Sequence, residues 1–370
     1  MVKTMFRVRK IDAMGVAVPM KTPLKMSMGS MEACDNLVVR ISDDAGRVGW
    51  GEAPAAPTFS GETTTGMIAA VEYMALRIEG QEIVSPESAR KLVEPLMYGN
   101  HAAKSAIDMA LMDLIGKHRG APLYDVLGGR KRDRAAVIWL VAGTPDEQQL
   151  ARRRRDEGFV TFEVKVAAND PNTGLSRAWA TRATVGNDVR VSADANQGYS
   201  PEDALTFAKG AGDAGLDFFE QPVMGEDVET MRACAAVCTV PISADEGLHS
   251  LADIRRHHHL GAAAGGSLKL IKFGGTGPVM EAARLMHELG MKINLAGKAA
   301  NTAIGAAAVA HLAVAVPNLD WDMNMSSQYL ADDVVENPIG VVDGHIVPPS
   351  DGPGLGIIVD EDRIARYRRA

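Results

Sequence analysis

The sequence has little cysteine and no long hydrophobic run. Three cysteines, Cys34, Cys234 and Cys238, stand among 370 residues. No Cys-x-x-Cys pair occurs, which argues against a disulfide framework and against a thiolate zinc site, and a reducing compartment fits this usage best. No apolar run approaches the roughly 20 residues of a membrane span, and the N-terminus lacks the apolar core of a signal peptide. We therefore expect a cytoplasmic protein with no membrane partner.

Positive charge is also in deficit. The chain has 39 Lys and Arg against 47 Asp and Glu, a net charge of −8, whereas nucleic-acid binding requires a concentrated basic footprint. The one dense basic run, 152–155, is followed by Asp156 and Glu157, as on the solvated face of a helix. No Gly-x-Gly-x-x-Gly follows an early strand, which disfavours a nucleotide-binding sheet. We expect no nucleic-acid partner.

The first third of the chain predicts a sheet followed by helices. Residues 3–52 contain two alternating stretches, and the second, NLVVRISDDAGRVGWGE, has an Asp-Ala-Gly turn typical of a hairpin. Between them MKTPLKMSMGSMEACD lacks periodicity and is predicted to be a mobile loop. From about 62 to 118 apolar residues recur on one helix face. This order of elements predicts an α+β unit.

Eight short strand-like runs follow residue 134 at intervals of about 25 residues. That interval holds a strand, a loop and a helix, and eight parallel strands with right-handed crossovers close into a barrel. A doubly wound open sheet is the competing arrangement. No clear helix follows the eighth run, and the Gly- and Pro-rich tail is expected to pack back on the N-terminal unit. We predict an α/β fold: a (β/α)7β TIM-like barrel at 131–344, with an α+β capping domain at 1–130 completed by about 345–370.

Ionisable residues end successive runs of this predicted barrel. They are spaced 29, 26, 25 and 24 residues apart, and they are Lys165, Asp194, Glu220, Asp245 and Lys269. Any one of them alone is an ordinary polar strand end. Because barrel active sites lie at the C-terminal ends of the strands, five in phase indicate a ring of inward-pointing charges.

Three converging carboxylates repel one another unless a cation lies between them. An all-oxygen ligand set suits Mg²⁺, with Mn²⁺ as a substitute. The sequence therefore predicts a divalent-cation site at Asp194, Glu220 and Asp245. Lys165 and Lys269 flank this trio, and beside a cation their pKa values should fall, so that one amine takes a proton while the other gives one.

At this point a family resemblance becomes specific. The segments FEVKVA, SADANQG, FFEQP, ISADEG and LKLIKFGG resemble the barrel motifs of the enolase superfamily, above all its muconate-lactonizing-enzyme subgroup within the mandelate racemase/muconate lactonizing enzyme family. GRVGWGEAP and NHAAKSAIDMALMDLIGKHRGAPLYDVLGG resemble that subgroup's capping domain. The resemblance covers nearly the whole chain. It implies metal ligands at Asp194, Glu220 and Asp245, acid/base lysines at Lys165 and Lys269, and a substrate carboxylate bound to the metal.

The resemblance implies abstraction of an α-proton from a small carboxylate to give a metal-stabilised enediolate. Two lysines serving opposite faces favour a racemase or epimerase of an amino-acid-like carboxylate. A cycloisomerase or a dehydratase is the alternative, and a Schiff-base aldolase or a non-catalytic binding barrel is more distant. We also expect a homo-oligomer.

Two positions depart from the subgroup's pattern. Glu163 stands where the subgroup usually has the first lysine of Lys-x-Lys, and it shares the inward face with Lys165. It either holds Lys165, meets a cationic substrate nitrogen, or forms a purely structural ion pair. The subgroup often carries an acid near Asn301, whereas here Lys298 supplies a positive charge beside the barrel mouth.

Further residues are predicted to support the site. Met26, Met28 and Phe59 lie in loops that would close over the barrel mouth and line the pocket, and Asn196 and Glu246 follow two of the predicted metal ligands. The triplet 257–259 is three consecutive histidines of a helix, which point in different directions, so we interpret it as exposed surface. In the eighth run either Trp321 or Asp322 faces inward.

Overall fold

The computed structural model of the protein describes residues 5–26, 29–168, 170–297 and 301–369. Two of the predicted site residues, Met28 and Lys298, lie outside this part of the chain. Met26 belongs to a described strand, but its side chain is outside the description.

The N-terminal unit combines a four-stranded antiparallel sheet with helices, as expected from its pattern. Its elements, in chain order, are β1 Phe6–Val16, β2 Pro19–Met26, β3 Gly29–Ala33, β4 Asn36–Asp43, β5 Val48–Pro54, α1 Thr64–Ile78, β6 Glu82–Ile83, α2 Pro86–Val93, a 3-10 helix Glu94–Leu96, α3 His101–Arg119 and α4 Leu123–Val126. The strand order in the sheet is β5-β4-β1-β6. The predicted hairpin is the β4–β5 pair.

The predicted mobile loop is wrong over most of its length, because β2 and β3 pair as a second antiparallel hairpin. Leu24 pairs with Met31 and Lys25 with Ser30. Backbone hydrogen bonds between near neighbours hold this hairpin. The side chains of 21–23 are exposed, so this part of β2 lacks the alternation of buried and exposed residues by which a strand is usually detected.

Helix α3 packs directly on β5, and two glycines permit the close approach. A Cβ atom at Gly49 would lie 2.2 Å from the carbonyl oxygen of Ala110, and one at Gly51 would lie 1.9 Å from that of Ala106. These glycines belong to the GRVGWGEAP motif. The motif therefore encodes the contact between the sheet and the central helix of the capping unit.

The second unit is the barrel. Its elements, in chain order, are β7 Ala135–Ala136, β8 Trp139–Val141, α5 Glu147–Asp156, β9 Thr161–Lys165, α6 Pro171–Val185, β10 Arg190–Asp194, α7 Pro201–Gly210, β11 Phe218–Glu220, α8 Val228–Val237, β12 Ile242–Ala244, α9 Leu251–His259, β13 Gly265–Leu268, α10 Leu270–Phe273, α11 Thr276–Glu288, β14 Lys292–Ala296, α12 Ala303–Ala315, β15 Met323–Asn324, a 3-10 helix Ser327–Tyr329, β16 His345–Ile346 and α13 Glu361–Arg366.

Strands β8 to β15 are neighbours in sequence order, and every pair is parallel. The amide of Ile138 donates to the carbonyl of Met323 over 2.8 Å, and Val137 bridges to Met323, so the first and last strands meet. Only a 3-10 turn follows β15 in the described chain before the tail begins. The predicted (β/α)7β barrel is confirmed.

The C-terminal tail returns to the capping unit, as expected. The amide of Leu123 donates to Gly354 over 2.7 Å, and the amide of Arg369 donates to the carbonyl of Gly15 over 2.9 Å. On the way, β16 pairs with β7 at the foot of the barrel. The numerical boundaries 1–130, 131–344 and 345–370 stay predictions. None of the described helices combines the length and hydrophobicity that crossing a bilayer requires.

Candidate active site

Strand register brings the five in-phase residues to one end of the barrel. Lys165 is the backbone partner of Asp194, and Asp194 is the partner of Glu220, so three charges stand at one height. Asp245 and Lys269 come directly after β12 and β13. All five therefore lie at the carboxyl end of the sheet, where barrel enzymes carry their active sites.

On one side of the site Lys165 lies between two acids. Its Nζ is 2.5 Å from Oδ2 of Asp194 and 2.7 Å from Oε1 of Glu163, and both carboxylates are 3% exposed. Burial alone lowers the pKa of Lys165, but Asp194 and Glu163 together raise it well above its ordinary value. Glu163 therefore contacts the lysine, as two of its three predicted roles require.

On the other side Asp245 lies between two lysines. Lys269 Nζ contacts its Oδ2, and Lys272 Nζ is 2.7 Å from its Oδ1. Lys272 also donates to the carbonyls of Asp245 and Ser267, both over 2.6 Å, and is fully buried. Burial opposes ionisation of Asp245, but the two lysines hold its pKa below its ordinary value. Lys272 was not predicted as a site residue, although its position one helical turn after Lys269 was a usable signal.

Glu220 lies between these two pairs and has no lysine of its own among its described contacts. The hydroxyl of Ser267 is 2.7 Å from its Oε1 and 2.9 Å from Oδ1 of Asn294, so Ser267 was a second residue that the sequence analysis missed. Burial raises the pKa of Glu220 well above its ordinary value, and the charges of Asp194 and Glu163 raise it further.

Two residues in unusual backbone conformations support the acids. Asn196, with φ of 43°, donates its amide to Oδ1 of Asp194 over 2.7 Å and its side chain to Glu246 over 3.4 Å. Gln221, with φ of 35°, accepts from the amides of Asp245 and Gly247 over 2.8 and 3.1 Å. Left-handed backbone at non-glycine residues is typical of functional loops, and Gln221 was not singled out from the sequence.

The charges of the site match a divalent cation. Five carboxylates face three ammonium groups, which leaves two negative charges uncompensated when every group is ionised. The acids are Glu163, Asp194, Glu220, Asp245 and Glu246, and the bases are Lys165, Lys269 and Lys272. Burial and Asp245 raise the pKa of Glu246 to about 7, and its buried Oε2 has no hydrogen-bond partner in the described chain. An all-oxygen donor set of this kind fits Mg²⁺ or Mn²⁺.

The acids are not arranged as a metal centre in this structure. Within the described residues no three His, Cys, Asp or Glu side chains come together as a cation site. Asp194 directs an oxygen at Lys165, and Asp245 directs both of its oxygens at lysines. A cation would therefore have to replace ammonium groups as the partner of these two carboxylates.

The capping unit contributes Phe59 to the site. Its ring centroid is 4.9 Å from Nζ of Lys269, and on another side it lies 5.9 Å from the ring of His249. Asn301 is buried beside the barrel mouth, and its amide donates to the hydroxyl of Ser326 over 3.0 Å.

Two expectations about other residues are corrected or resolved by the structure. His257, on α9, is 1% exposed, so the prediction of an exposed histidine triplet is wrong at its first member. His258 and His259 are exposed. Asp322 pairs with Arg190 at the start of β10, at the opposite end of the barrel from the site. Trp321 is buried and stacks on Phe218 with centroids 4.3 Å apart.

Comparisons with known proteins agree with this architecture. Residues 10–128 match the family model of the mandelate racemase / muconate lactonizing enzyme N-terminal domain, and residues 146–363 match the enolase C-terminal domain-like model. An L-Ala-D/L-Glu epimerase of Bacillus subtilis is 29% identical over 95% of this chain and 97% of that enzyme. A chloromuconate cycloisomerase of Pseudomonas putida is 29% identical over 98% of this chain and 100% of that enzyme.

A solved structure is similar over the same length. It is the muconate lactonizing enzyme of Pseudomonas fluorescens complexed with muconolactone, 28% identical, with a TM-score of 0.94 over 98% of this chain and 100% of that chain. The likeness therefore extends through both the capping unit and the barrel.

Proposed function

The chain belongs to the mandelate racemase/muconate lactonizing enzyme family and is an isomerase of the enolase superfamily, and from that premise we propose that it racemises or epimerises an amino-acid-like carboxylate at its α-carbon. The chemistry begins with removal of the α-proton. Return of a proton to the opposite face inverts the centre.

The observation that carries the proposal is the separation of two lysines by the acids. Lys165 ends the second barrel strand and Lys269 directly follows the sixth, with three strands between them. Each contacts a different acid, Asp194 or Asp245. A substrate carbon between them would meet one amine on each face, which is the arrangement that inversion requires.

Asp194, Glu220 and Asp245 would hold Mg²⁺ or Mn²⁺, in keeping with the general dependence of this superfamily on a divalent metal. When bound, that ion supplies electrostatic stabilisation of the charge that develops on the substrate carboxylate. One lysine accepts the α-proton at Nζ, and the other delivers a proton from its own Nζ. The capping loops exclude water while the acidic carbon is deprotonated.

Glu163 argues for a substrate that places a neutral or cationic group, and not a second carboxylate, beside Lys165. Its carboxylate is buried and lies beside Lys165, so a second anionic group of a substrate would be repelled there. A neutral amide or a cationic nitrogen would be tolerated at the same place. This favours epimerisation over cycloisomerisation of a muconate-like dianion, for which lactone formation is the assay.

The proposal is tested by α-deuterium incorporation in D₂O with Mg²⁺. The panel contains dipeptides such as L-Ala-L-Glu and L-Ala-D-Glu, N-acylated amino acids, and muconates. We expect exchange of at least one amino-acid-like compound, its loss with a chelator, and its return with Mg²⁺ or Mn²⁺. Exchange of no member of the panel, or lactone formation from muconate alone, would contradict the proposal.

A further inference from the structure

We propose that Phe59 of the capping unit is a positioning residue for Lys269, whose ammonium group it holds against the face of its ring. This inference rests on the proposed function, because it assigns to the capping unit control over one of the two proton-transfer faces. It concerns a residue outside the barrel and outside the set of acids.

The Phe59 ring contacts the Lys269 ammonium group directly. Lys269 Nζ lies 4.9 Å from the Phe59 ring centroid, within the distance at which an ammonium group is attracted to an aromatic face. The Lys269 side chain is 12% exposed. A partly desolvated cation gains more from such a contact than an exposed one.

The two lysines differ in their carboxylate partners. Lys165 contacts Glu163 as well as Asp194, so it keeps a carboxylate partner when Asp194 turns to a cation. In the described part of the chain Lys269 forms its close ion pair with Asp245, and the charges of Glu246 and Glu220 act on it from farther away. A cation held by Asp245 would compete with Lys269 for the same carboxylate, whereas the Phe59 ring attracts the ammonium group without ligating the metal.

Phe59 is itself held in place by its backbone and by its ring. Its amide donates to the carbonyl of Ala56 over 3.0 Å, and Ala56 donates to Glu62 over 3.0 Å, which closes a compact turn between β5 and α1. Its ring also packs against His249, whose Nε2 lies 3.0 Å from the carbonyl of Glu246. The ring therefore reaches Lys269 from a turn that is anchored in the capping unit and backed by the barrel.

The first test separates the two faces of the substrate. The probe is the pair of epimers, from the panel above, that exchanges fastest, and Lys269→Ala assigns the epimer that Lys269 deprotonates. Phe59→Leu should lower exchange of that epimer about tenfold and leave the other within about twofold. Phe59→Tyr, which keeps the ring, should exchange that epimer at about the wild-type rate. Phe6→Leu is the matched control, since it removes a ring stacked on His118 of the same unit and should leave the ratio unchanged.

The proposal would be overturned if Phe59→Leu slowed exchange of both epimers equally or of neither. It would also be overturned if Phe59→Tyr slowed exchange as much as Phe59→Leu does. A second measurement needs neither substrate nor metal: acetylation of Lys269 by acetic anhydride in metal-free protein, read by mass spectrometry against the exposed Lys292. Phe59→Leu should raise the relative rate at Lys269 on the order of threefold, and an unchanged rate would count against the contact. If the wild-type protein exchanges neither epimer, the proposed function fails, while acetylation still decides the contact.

Discussion

Glu52 joins the capping unit to the barrel, and its replacement by glutamine gives the sharpest test of that joint. Its Oε1 accepts from the amide of Thr302 over 2.8 Å, and its Oε2 accepts from the amide of Gly305 over 2.7 Å and the hydroxyl of Thr302 over 2.9 Å. Asn36 donates to Oε1 as well. The carboxylate is 1% exposed and caps the N-terminus of α12.

The magnitude follows from these contacts. In Glu52→Gln one oxygen becomes an NH₂ group, so one backbone N–H at Thr302 or Gly305 faces a donor and is left unsatisfied, at about 1–3 kcal/mol. Loss of the charge at the helix N-terminus adds about 1 kcal/mol. We therefore expect the free energy of unfolding to fall by about 2–4 kcal/mol.

The assay is urea unfolding followed by circular dichroism at pH 8.5. At that pH Glu52 is ionised, because burial raises its pKa only to about 7. The matched control is Glu62→Gln. Glu62 caps α3 within the capping unit by accepting from the amides of Ala102 and Ala103. In Glu62→Gln the oxygen that is kept can be Oε1, which serves both amides, so we expect only the loss of the helix-terminal charge, about 1 kcal/mol. A loss at Glu52 below about 0.5 kcal/mol, or an equal loss in the control, would refute this account of the joint.

Three further changes test other parts of the structure. Lys272→Met removes a buried partner of Asp245, so urea unfolding of the metal-free protein should show that the free energy of unfolding is lower by about 3 kcal/mol. Saturating Mg²⁺ should reduce this difference, and an unchanged difference would contradict the cation's place beside Asp245. Burial raises the pKa of Asp108 from 3.8 to about 6. The wild-type free energy of unfolding should therefore fall as pH rises from about 4 to 6, by about 2–3 kcal/mol relative to Asp108→Asn. Urea unfolding of both proteins across this pH range checks this, and the same pH dependence in both would contradict it. Gly51→Ala should lower the free energy of unfolding by more than about 3 kcal/mol, because its Cβ would meet a backbone oxygen at 1.9 Å. Gly46→Ala, at an open turn with φ of 80°, should lower it by about 1 kcal/mol. Thermal unfolding compares the two variants.

The sequence predicted the features that repeat or alternate. The in-phase spacing of Lys165, Asp194 and Glu220 reflects a real register, because the three are backbone partners across β9, β10 and β11. The hairpin at β4 and β5 followed from an Asp-Ala-Gly turn between alternating stretches. Period and turn chemistry are local properties, so a single sequence carries them.

The features that the sequence did not predict depend on distant contacts. Glu52 meets Thr302 across 250 residues of chain, and no local pattern marks such a pair. Ser267 and Lys272 support the acids from positions that resemble ordinary strand and helix residues. His257 was assigned to the surface together with His258 and His259, but consecutive helical residues point in different directions, and His257 is the one of the three that is buried.

The central claim is that two lysines serve opposite faces of one carbon beside a carboxylate-held cation. The most direct measurement is α-deuterium exchange of each member of an epimeric pair, in D₂O with Mg²⁺, by Lys165→Ala and Lys269→Ala. We predict that each variant loses exchange of one epimer, a different one in each case, while it retains exchange of the other. The account would be contradicted if one variant lost exchange of both epimers while the other kept both. Undiminished exchange of both epimers in either variant would contradict it as well.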